Sequence, residues 1–512
     1  MTVELSHSTT PDHSYAISPD DDHFHDECAV FAIFGSSDAA AHTALGLHAL
    51  QHRGQEATGI VSFDGEQYHS HRGQGRVAEN FQNESVMAAL KGYSAVGHNR
   101  YSTTGETSLR NVQPLFAEFV FGGMALAHNG NLTNYAMLRR RLQERGSLFQ
   151  SSSDTEIVIH LMATSLKATM IERLEDALHH VEGAYAFVAL VNNAVIGVRD
   201  PLGLRPLVLG RLGDAWVLAS ETCAFDIIGA EFVREIEPGE VVVIDGLGVH
   251  SRRPFATAAH RACIFEHVYF SRPDSMQGGV SFYQRRKHIG MELARESHVE
   301  ADVVIPVPDS GVPAALGYAA EAKIDFELGI IRNHYVGRTF IEPSDHIRHL
   351  GVRLKHNANP MVIRGKRVIL VDDSIVRGTT STKIVEMVRN AGATEVHLRI
   401  ASPPTTHSCY YGVDTPLREQ LLAYQHDQEG MAKFIGCDSL AFVSIDGLYR
   451  AMGPSDPSLP GIVNRDPMNL GFCDACFTGE YPTRITSAPH DSHPEAVIEK
   501  LEQHRNRSIR RA

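Results

Sequence analysis

No run of this chain is apolar over the about 18 residues that a membrane-spanning helix needs. Nor does the N-terminus carry the apolar core of a secretory signal, since Met1–Glu27 is polar, acidic and rich in His, Ser and Asp. Cationic residues are in the minority, with 47 Lys and Arg against 61 Asp and Glu and a formal net charge of −14. That balance argues against broad binding to nucleic acid or to an anionic membrane surface. There is no internal repeat and no long low-complexity segment, which excludes a solenoid. These absences point to a cytoplasmic protein, a setting in which structural disulfides are disfavoured, so the 7 cysteines need another account.

What is present is an ordinary globular composition, 43% hydrophobic and 21% charged over 512 residues. At about 150 residues per domain this is enough for roughly three domains or two large ones. From Cys28 onward the hydrophobic pattern predicts strands at Ala29–Phe34, Ala95–His98, Met124–Ala127, Ala184–Val191, Ala194–Val198, Trp216–Ala219 and Val241–Ile244. Helices are expected at Ala39–Leu50, Leu132–Arg145, Asp154–Leu166 and Ile171–His180. Many strands with few helices fit a layered α+β sandwich. The polar stretch Gly248–His260 reads as the domain boundary. Beyond it the short apolar runs Val303–Val307, Phe326–Ile331, Val368–Val371 and Val396–Ala401 alternate with helical runs. Such alternation predicts a parallel sheet with crossover helices. The tail from Thr483 is charged and poor in large apolar residues, and is expected to be a surface helix with a frayed basic end.

The densest chemical signal is Lys366-Arg-Val-Ile-Leu-Val-Asp-Asp-Ser-Ile-Val-Arg-Gly-Thr-Thr380. A strand, a turn and a helix N-terminus in this order form an anion cradle of unpaired backbone N–H groups. Two carboxylates, Asp372 and Asp373, stand directly before it although they repel phosphate. Ribose hydroxyls explain them, because they donate to carboxylates while a 5′-phosphate sits in the turn; a divalent ion is a second partner. An ordinary turn with a helix cap would also use Ser, Gly and Thr here. The segment closely resembles the phosphoribosyl pyrophosphate (PRPP) signature of type I phosphoribosyltransferases. The resemblance implies PRPP binding by Asp372, Asp373, Ser374, Arg377, Gly378, Thr379 and Thr380. Two further segments fit it. Val307-Pro-Asp-Ser-Gly-Val-Pro313 would wrap pyrophosphate, with Ser310, Asp372 and Asp373 near one Mg²⁺ per subunit. Arg332-Asn-His-Tyr-Val-Gly-Arg-Thr-Phe-Ile-Glu-Pro343 resembles the family's closing loop, with Arg332, Tyr335 and Arg338 on PRPP.

In the first half, Cys28 opens the first predicted strand. Alone it reads as a small buried hydrophobe. Four other segments, Leu47-His-Ala-Leu-Gln-His-Arg-Gly-Gln-Glu56, His98-Asn-Arg-Tyr-Ser-Thr-Thr-Gly105, His128-Asn-Gly-Asn131 and Ser151-Ser-Ser-Asp-Thr-Glu156, change that reading. With Cys28 they resemble the glutaminase domain of N-terminal-nucleophile (Ntn) amidotransferases. Splitting an amide needs a thiolate and a base, and an N-terminal cysteine carries both, its α-amine titrating near ~7.7–8.0. An internal cysteine has no such amine, so Cys28 works only after cleavage between Glu27 and Cys28. The resemblance implies Asn129 and Gly130 as oxyanion hole, Arg100 on glutamine's α-carboxylate and Asp154 on its α-ammonium. Arg53 and Thr103 either line the same pocket or pack just outside it.

Taken together, residues from Cys28 to about Pro482 resemble the amidophosphoribosyltransferase family. The implied fold is a four-layer α+β Ntn sandwich over 28–258 and an α/β type I phosphoribosyltransferase domain with a parallel sheet over 259–482. A leader of residues 1–27 precedes them and a tail of 483–512 follows. The implied reaction joins ammonia from glutamine to C1 of PRPP, giving 5-phosphoribosylamine, glutamate and pyrophosphate, the first committed step of purine synthesis. Ammonia must travel by a dry route, for which Tyr335 is a lining candidate. By spacing alone, Cys473-Asp-Ala-Cys476 with Cys263 and Cys409 far upstream leaves zinc or a redox dithiol open. Their contexts resemble the iron–sulfur branch of the family, which implies one 4Fe-4S cluster per subunit on Cys263, Cys409, Cys473 and Cys476. Cys223 and Cys437 are expected to be packing residues. The family also implies a homotetramer and feedback inhibition by purine nucleotides. A PRPP-binding regulator would lack the first domain's chemistry, and another glutamine amidotransferase would lack the PRPP signature.

Overall fold

In a computed structural model, residues 25–26, 28–101, 108–333, 356–453, 464–466 and 471–486 are described. The first domain is two antiparallel sheets between two helical layers. One sheet of 7 strands runs in the order Glu231–Glu235, Val208–Leu212, Ala215–Ala219, Cys28–Phe34, Ser94–Arg100, Ala57–Phe63, Tyr68–Gln74. The other, of 6, runs Gly248–Arg252, Val241–Asp245, Ala194–Arg199, Gly183–Val191, Gly122–Leu132, Leu115–Phe119. Strand alternation decides which side chain faces which layer. Val30, Ala32 and Val96 turn inward and pack with Ala125, Ala127 and Val188 between the sheets. Their neighbours Phe31 and Ile33 turn outward, under Leu47 of the helix Ala39–Ala49. On the far side Leu126 and Phe187 pack beneath Leu138, Ile157 and Leu174 of the outer helices. Both strand faces are buried, so these strands read as continuous apolar runs.

The second domain centres on a parallel sheet in the order Val303–Pro306, Arg367–Asp372, Glu395–Ile400, Ser439–Phe442. Helices Phe282–Glu296 and Val312–Ala322 cover one face through Ile289, Leu293, Ala315 and Tyr318. Helices Thr379–Asn390 and Gln428–Ile435 cover the other through Ile384, Val388, Met431 and Ile435.

Two expectations are corrected. The run Phe326–Ile331 is not one strand: Phe326 makes a single parallel bridge to Val304, and Ile330–Arg332 pairs antiparallel with His356–Ala358. The backbone turns between them, where Gly329 N–H donates to the Glu327 carbonyl at 3.0 Å. The polar stretch assigned to the boundary begins with a strand, Gly248–Arg252, an edge strand paired with Val241–Asp245. Ser439–Phe442 and the polar strand Tyr68–Gln74 escaped the hydrophobic pattern, the latter because it is an edge with half-exposed side chains. The two domains are joined closely. Cys263 N–H donates to the Leu204 carbonyl, and Arg261–Cys263 pairs in parallel with Gly471–Cys473. Just before Cys28, His25–Asp26 pairs with Val413–Asp414 of the second domain.

Candidate active sites and a cysteine-lined cavity

Cys28 and Arg100 are register partners on adjacent strands, and both side chains are buried. Alternation puts Cys28 on the face of Val30 and Ala32, Arg100 on that of Val96, and Asn129 on that of Ala125 and Ala127. All three therefore open into the layer between the sheets. Asn129 is fully buried there, and neither its amide nitrogen nor its amide oxygen has a hydrogen-bond partner. A buried amide with both ends unmet costs stability unless a ligand completes it. Gly130 follows with φ +134°, a conformation open to glycine, and a side chain there would strike the Ala184 carbonyl. Gly130 lies within the strand Gly122–Leu132, opposite Tyr185.

The peptide carrying Asn129 is braced from behind. His98 Nε2 donates to the His128 carbonyl at 3.0 Å, and His128 N–H donates to Gln113 Oε1 at 2.8 Å. Burial pushes His98 down to about 3, so it is neutral. Asp154 precedes the helix Thr155–Thr164, and its carboxylate accepts from Leu132 N–H at 2.9 Å, 3.6 Å from His128 Nδ1. Burial would raise its pKa, but His128 and two backbone N–H groups hold it below the usual carboxylate range. Arg53 lies elsewhere: its guanidinium meets Glu221 through Nε, Glu266 through Nη2 at 2.5 Å, and Ser271 at 3.2 Å. Of the two readings for Arg53, the geometry favours packing beside the pocket. Thr103 lies outside the described residues.

At the C-terminal edge of the parallel sheet the two loops after adjacent strands meet. Val307 N–H donates to the Val371 carbonyl at 2.9 Å. Asp372 and Asp373 are buried there; Asp373 Oδ2 accepts from Ser374 Oγ at 2.6 Å, while Oδ1 has no partner. Gly378, with φ +80°, begins the helix Thr379–Asn390 without any side-chain cap. The Thr379 hydroxyl is buried and unpartnered. An uncapped helix start, an orphan hydroxyl and an orphan carboxylate oxygen converge, which suits a phosphate with a hydroxyl or cation beside it. Thr380 is buried and Arg377 partly exposed, 3.5 Å from Gln420. Across the edge Arg332 pairs with Asp309, next to the half-exposed Ser310. Tyr335 and Arg338 lie outside the described residues.

Cys263, Cys409, Cys473 and Cys476 line one cavity of ≈ 30 Å³ together with Arg205, Phe265, Tyr411 and Tyr481. Cys263 and Cys473 are parallel register partners, and Tyr411 N–H donates to Cys409 Sγ at 3.3 Å. Burial pushes the Cys263 thiol up to about 12, and burial with the neighbouring thiols raises Cys473 and Cys476 well above the ordinary value. Among the described residues, no three His, Cys, Asp or Glu are grouped as a single metal ion would require. Cys223 and Cys437 stand apart from the cavity, Cys223 with its sulfur 3.8 Å from Glu221.

Two family models match the chain, a glutamine amidotransferase domain over residues 98–226 and a phosphoribosyl transferase domain over residues 282–406. The amidophosphoribosyltransferase of Rhizobium etli is 54% identical over 94% of this chain and 96% of that protein. This chain belongs to the amidophosphoribosyltransferase family. The chloroplastic amidophosphoribosyltransferase 1 of Arabidopsis thaliana is 51% identical over 92% of this chain and 81% of its own. A solved glutamine PRPP amidotransferase from B. subtilis, complexed with ADP and GMP, superposes with a TM-score of 0.84. It is 49% identical and covers 90% of this chain and 100% of its own. Sequence reasoning quoted the segments that begin at His98 and His128 but missed the brace that joins them through the His128 peptide and Gln113. It also missed Glu266, whose first-domain partners Arg53 and Arg205 lie 213 and 61 positions away.

Proposed function

We propose that the protein makes 5-phosphoribosylamine from glutamine, PRPP and water, releasing glutamate and pyrophosphate. The observation that carries this is Asn129, an amide with both ends unmet in the buried layer that also receives Cys28 and Arg100. Removal of residues 1–27 gives Cys28 an α-amine, which takes the thiol proton. The thiolate attacks glutamine's side-chain carbonyl, and the Asn129 amide and Gly130 N–H receive the oxyanion. Collapse returns the proton to the leaving nitrogen, and water then frees glutamate from the thioester. Arg100 holds the α-carboxylate and Asp154, ionised in its setting, the α-ammonium.

Ammonia then attacks ribose C1 while pyrophosphate leaves. Asp372 and Asp373 hold the 2′- and 3′-hydroxyls, and Ser374, Arg377, Gly378, Thr379 and Thr380 hold the 5′-phosphate. Arg332, Tyr335 and Arg338 bind PRPP. Asp373, Asp372 and Ser310 suit a Mg²⁺, which neutralises pyrophosphate charge when bound; the unmet Asp373 Oδ1 supports this. Four thiols around one apolar cavity, three of them raised by burial and then by neighbouring thiols, suit a 4Fe-4S cluster, whose positive iron would reverse that penalty. The cluster ties the domains together structurally. Purine nucleotides as inhibitors, a homotetramer and a cytoplasmic location complete the reading. No helix of the described residues is long and apolar enough to cross a membrane.

One experiment tests the core of this: protein purified without air, with intact mass, iron and sulfide measured, assayed with glutamine and with ammonia. The expected result is mass beginning at Cys28, about four irons per chain and synthesis from either nitrogen source. An active enzyme retaining Met1–Glu27, or zinc in place of iron, would overturn the corresponding part.

A further inference from the structure

Two residues beyond Asp154 stands a second buried carboxylate, Glu156, which the proposed reaction leaves unused. It belongs to the first turn of the helix Thr155–Thr164 and reaches back over the loop before it. There it accepts from Gln150 N–H at 2.7 Å, from Ser151 N–H at 2.7 Å and from the Ser151 hydroxyl at 2.6 Å. Burial works against its charge, yet His160, the Ser151 hydroxyl and the two N–H groups bring it down to about 2. Three bonds to one ionised carboxylate are of the strong kind and fix the backbone that makes them. The Ser151 hydroxyl in turn accepts from Ser153 N–H at 3.3 Å, so the clamp runs to the residue directly before Asp154. Arg139 of the helix Tyr135–Glu144 adds a bond to the Ser151 carbonyl at 2.7 Å, and Asn111 meets Ser152 through its N–H and its hydroxyl, both at 2.9 Å.

Asp154 shows what the clamp achieves. An aspartate at a helix start ordinarily caps that helix. The Asp154 carboxylate makes no cap bond and turns instead to the strand Gly122–Leu132, where Oδ2 accepts from Leu132 N–H at 2.9 Å. Oδ1 has the longer contacts, 3.4 Å to the Thr155 hydroxyl and 3.6 Å to His128 Nδ1, which leaves room for a stronger donor such as an ammonium group. The oxyanion end of the pocket has its own support. Gly412 of the second domain lies against Gly130, where a Cβ would sit 2.9 Å from the Gly130 Cα, and Asn131 donates to the Tyr410 carbonyl at 3.0 Å. Loosening the loop before Asp154 leaves that support in place.

We propose that Glu156 is the positioning residue for recognition of glutamine's α-ammonium: by clamping the loop 150–153 it aims the Asp154 carboxylate into the pocket and off its own helix. This rests on the reading of Asp154 as the ammonium partner. No step of the chemistry passes through Glu156, and the α-ammonium is held alike before and during the attack on the amide. The effect of Glu156 therefore falls on the KM for glutamine and spares kcat.

The test uses the mature holoenzyme and the Glu156→Gln variant, which keeps the shape and turns one acceptor into a donor facing N–H groups. Glutamine kcat and KM are measured beside ammonia-driven synthesis, with glutamate and glutarate as competitive inhibitors, because glutarate is glutamate without its α-ammonium. The expected result is a KM for glutamine raised about 10-fold, the worth of a hydrogen bond to a charged group. The kcat and ammonia-driven synthesis should stay within about 2-fold of wild type, and the preference for glutamate over glutarate should shrink by a factor like that in KM. An unchanged KM overturns the proposal, as does a fall in kcat without a rise in KM. So does an equal weakening of glutamate and glutarate, which marks a pocket loosened as a whole. If the variant fails to fold, Ser151→Ala decides by the same readouts, since it breaks the link from Glu156 to Ser153 and leaves the carboxylate its two N–H bonds. An Asp154→Asn variant with the wild-type KM and inhibitor preference would instead strike the reading of Asp154 itself.

Discussion

The proposed glutaminase site and the proposed PRPP site are built on opposite plans. The first lies between two sheets, with Cys28 at the start and Arg100 at the end of adjacent strands, Asn129 inside a third, and His98 bracing the peptide behind it. The second lies at a sheet edge, where Asp372 ends its strand and Asp373 follows it, while Ser310 stands on a half-exposed loop and the exposed Arg332 ends the short strand Ile330–Arg332. A strand interior fixes a donor to within tenths of an ångström, which suits a reaction that stabilises one developing oxyanion. A loop edge yields to a large charged substrate and can close over it. Damage to the first plan should therefore appear in kcat, and damage to the second in KM.

The largest expected effect breaks the comparison at its rigid end. Asn129→Ala should lower kcat for glutamine hydrolysis by about 10²–10³ and leave ammonia-driven synthesis untouched. Equal loss with both nitrogen sources would remove Asn129 from the oxyanion hole. At the open end, Asp373→Asn should raise the KM for PRPP by about 10-fold or more, the worth of a charge-assisted hydrogen bond, in glutamine- and ammonia-driven synthesis alike. A pure kcat effect would mean that the edge is as rigid as the sheets.

The smallest effect concerns the brace behind Asn129. His98 titrates near 6.5 in an unfolded chain and about 3 when folded. Between those values the unfolded state binds a proton that the folded state refuses, so this stability is whole above pH 6.5 and drains as the pH falls. The loss approaches about 1.4 kcal/mol per pH unit. In His98→Gln, thermal midpoints measured from pH 7 to 4 should decline less steeply than in wild type. Parallel curves would show that His98 is protonated in the fold.

What was legible in the sequence follows from range. Asp372, Asp373, Gly378 and Thr379 are neighbours in the chain, and a strand, a turn and a helix start are enough to bring them together. The apolar runs around Ala29–Phe34 and Ala184–Val191 announced their strands because both faces are buried. Edge strands were missed where one face is wet, as in Tyr68–Gln74 and Gly248–Arg252. Arg53 was ambiguous because its partners, Glu221 and Glu266, lie 168 and 213 positions away. No pattern on one segment encodes such a pairing.

The contact of Gly412 with Gly130 bears on how far this chain can be divided. Cutting it at the expected boundary near residue 258 would keep Cys28 and take away what packs against Gly130. Arg205 would lose the carbonyls of Tyr411 and Gly412 and the Glu266 carboxylate at once. The backbone behind Gly130 would face water instead of another glycine. The seam visible in the sequence is a border of folding pattern, whereas the backbone around Gly130 is cast by both halves.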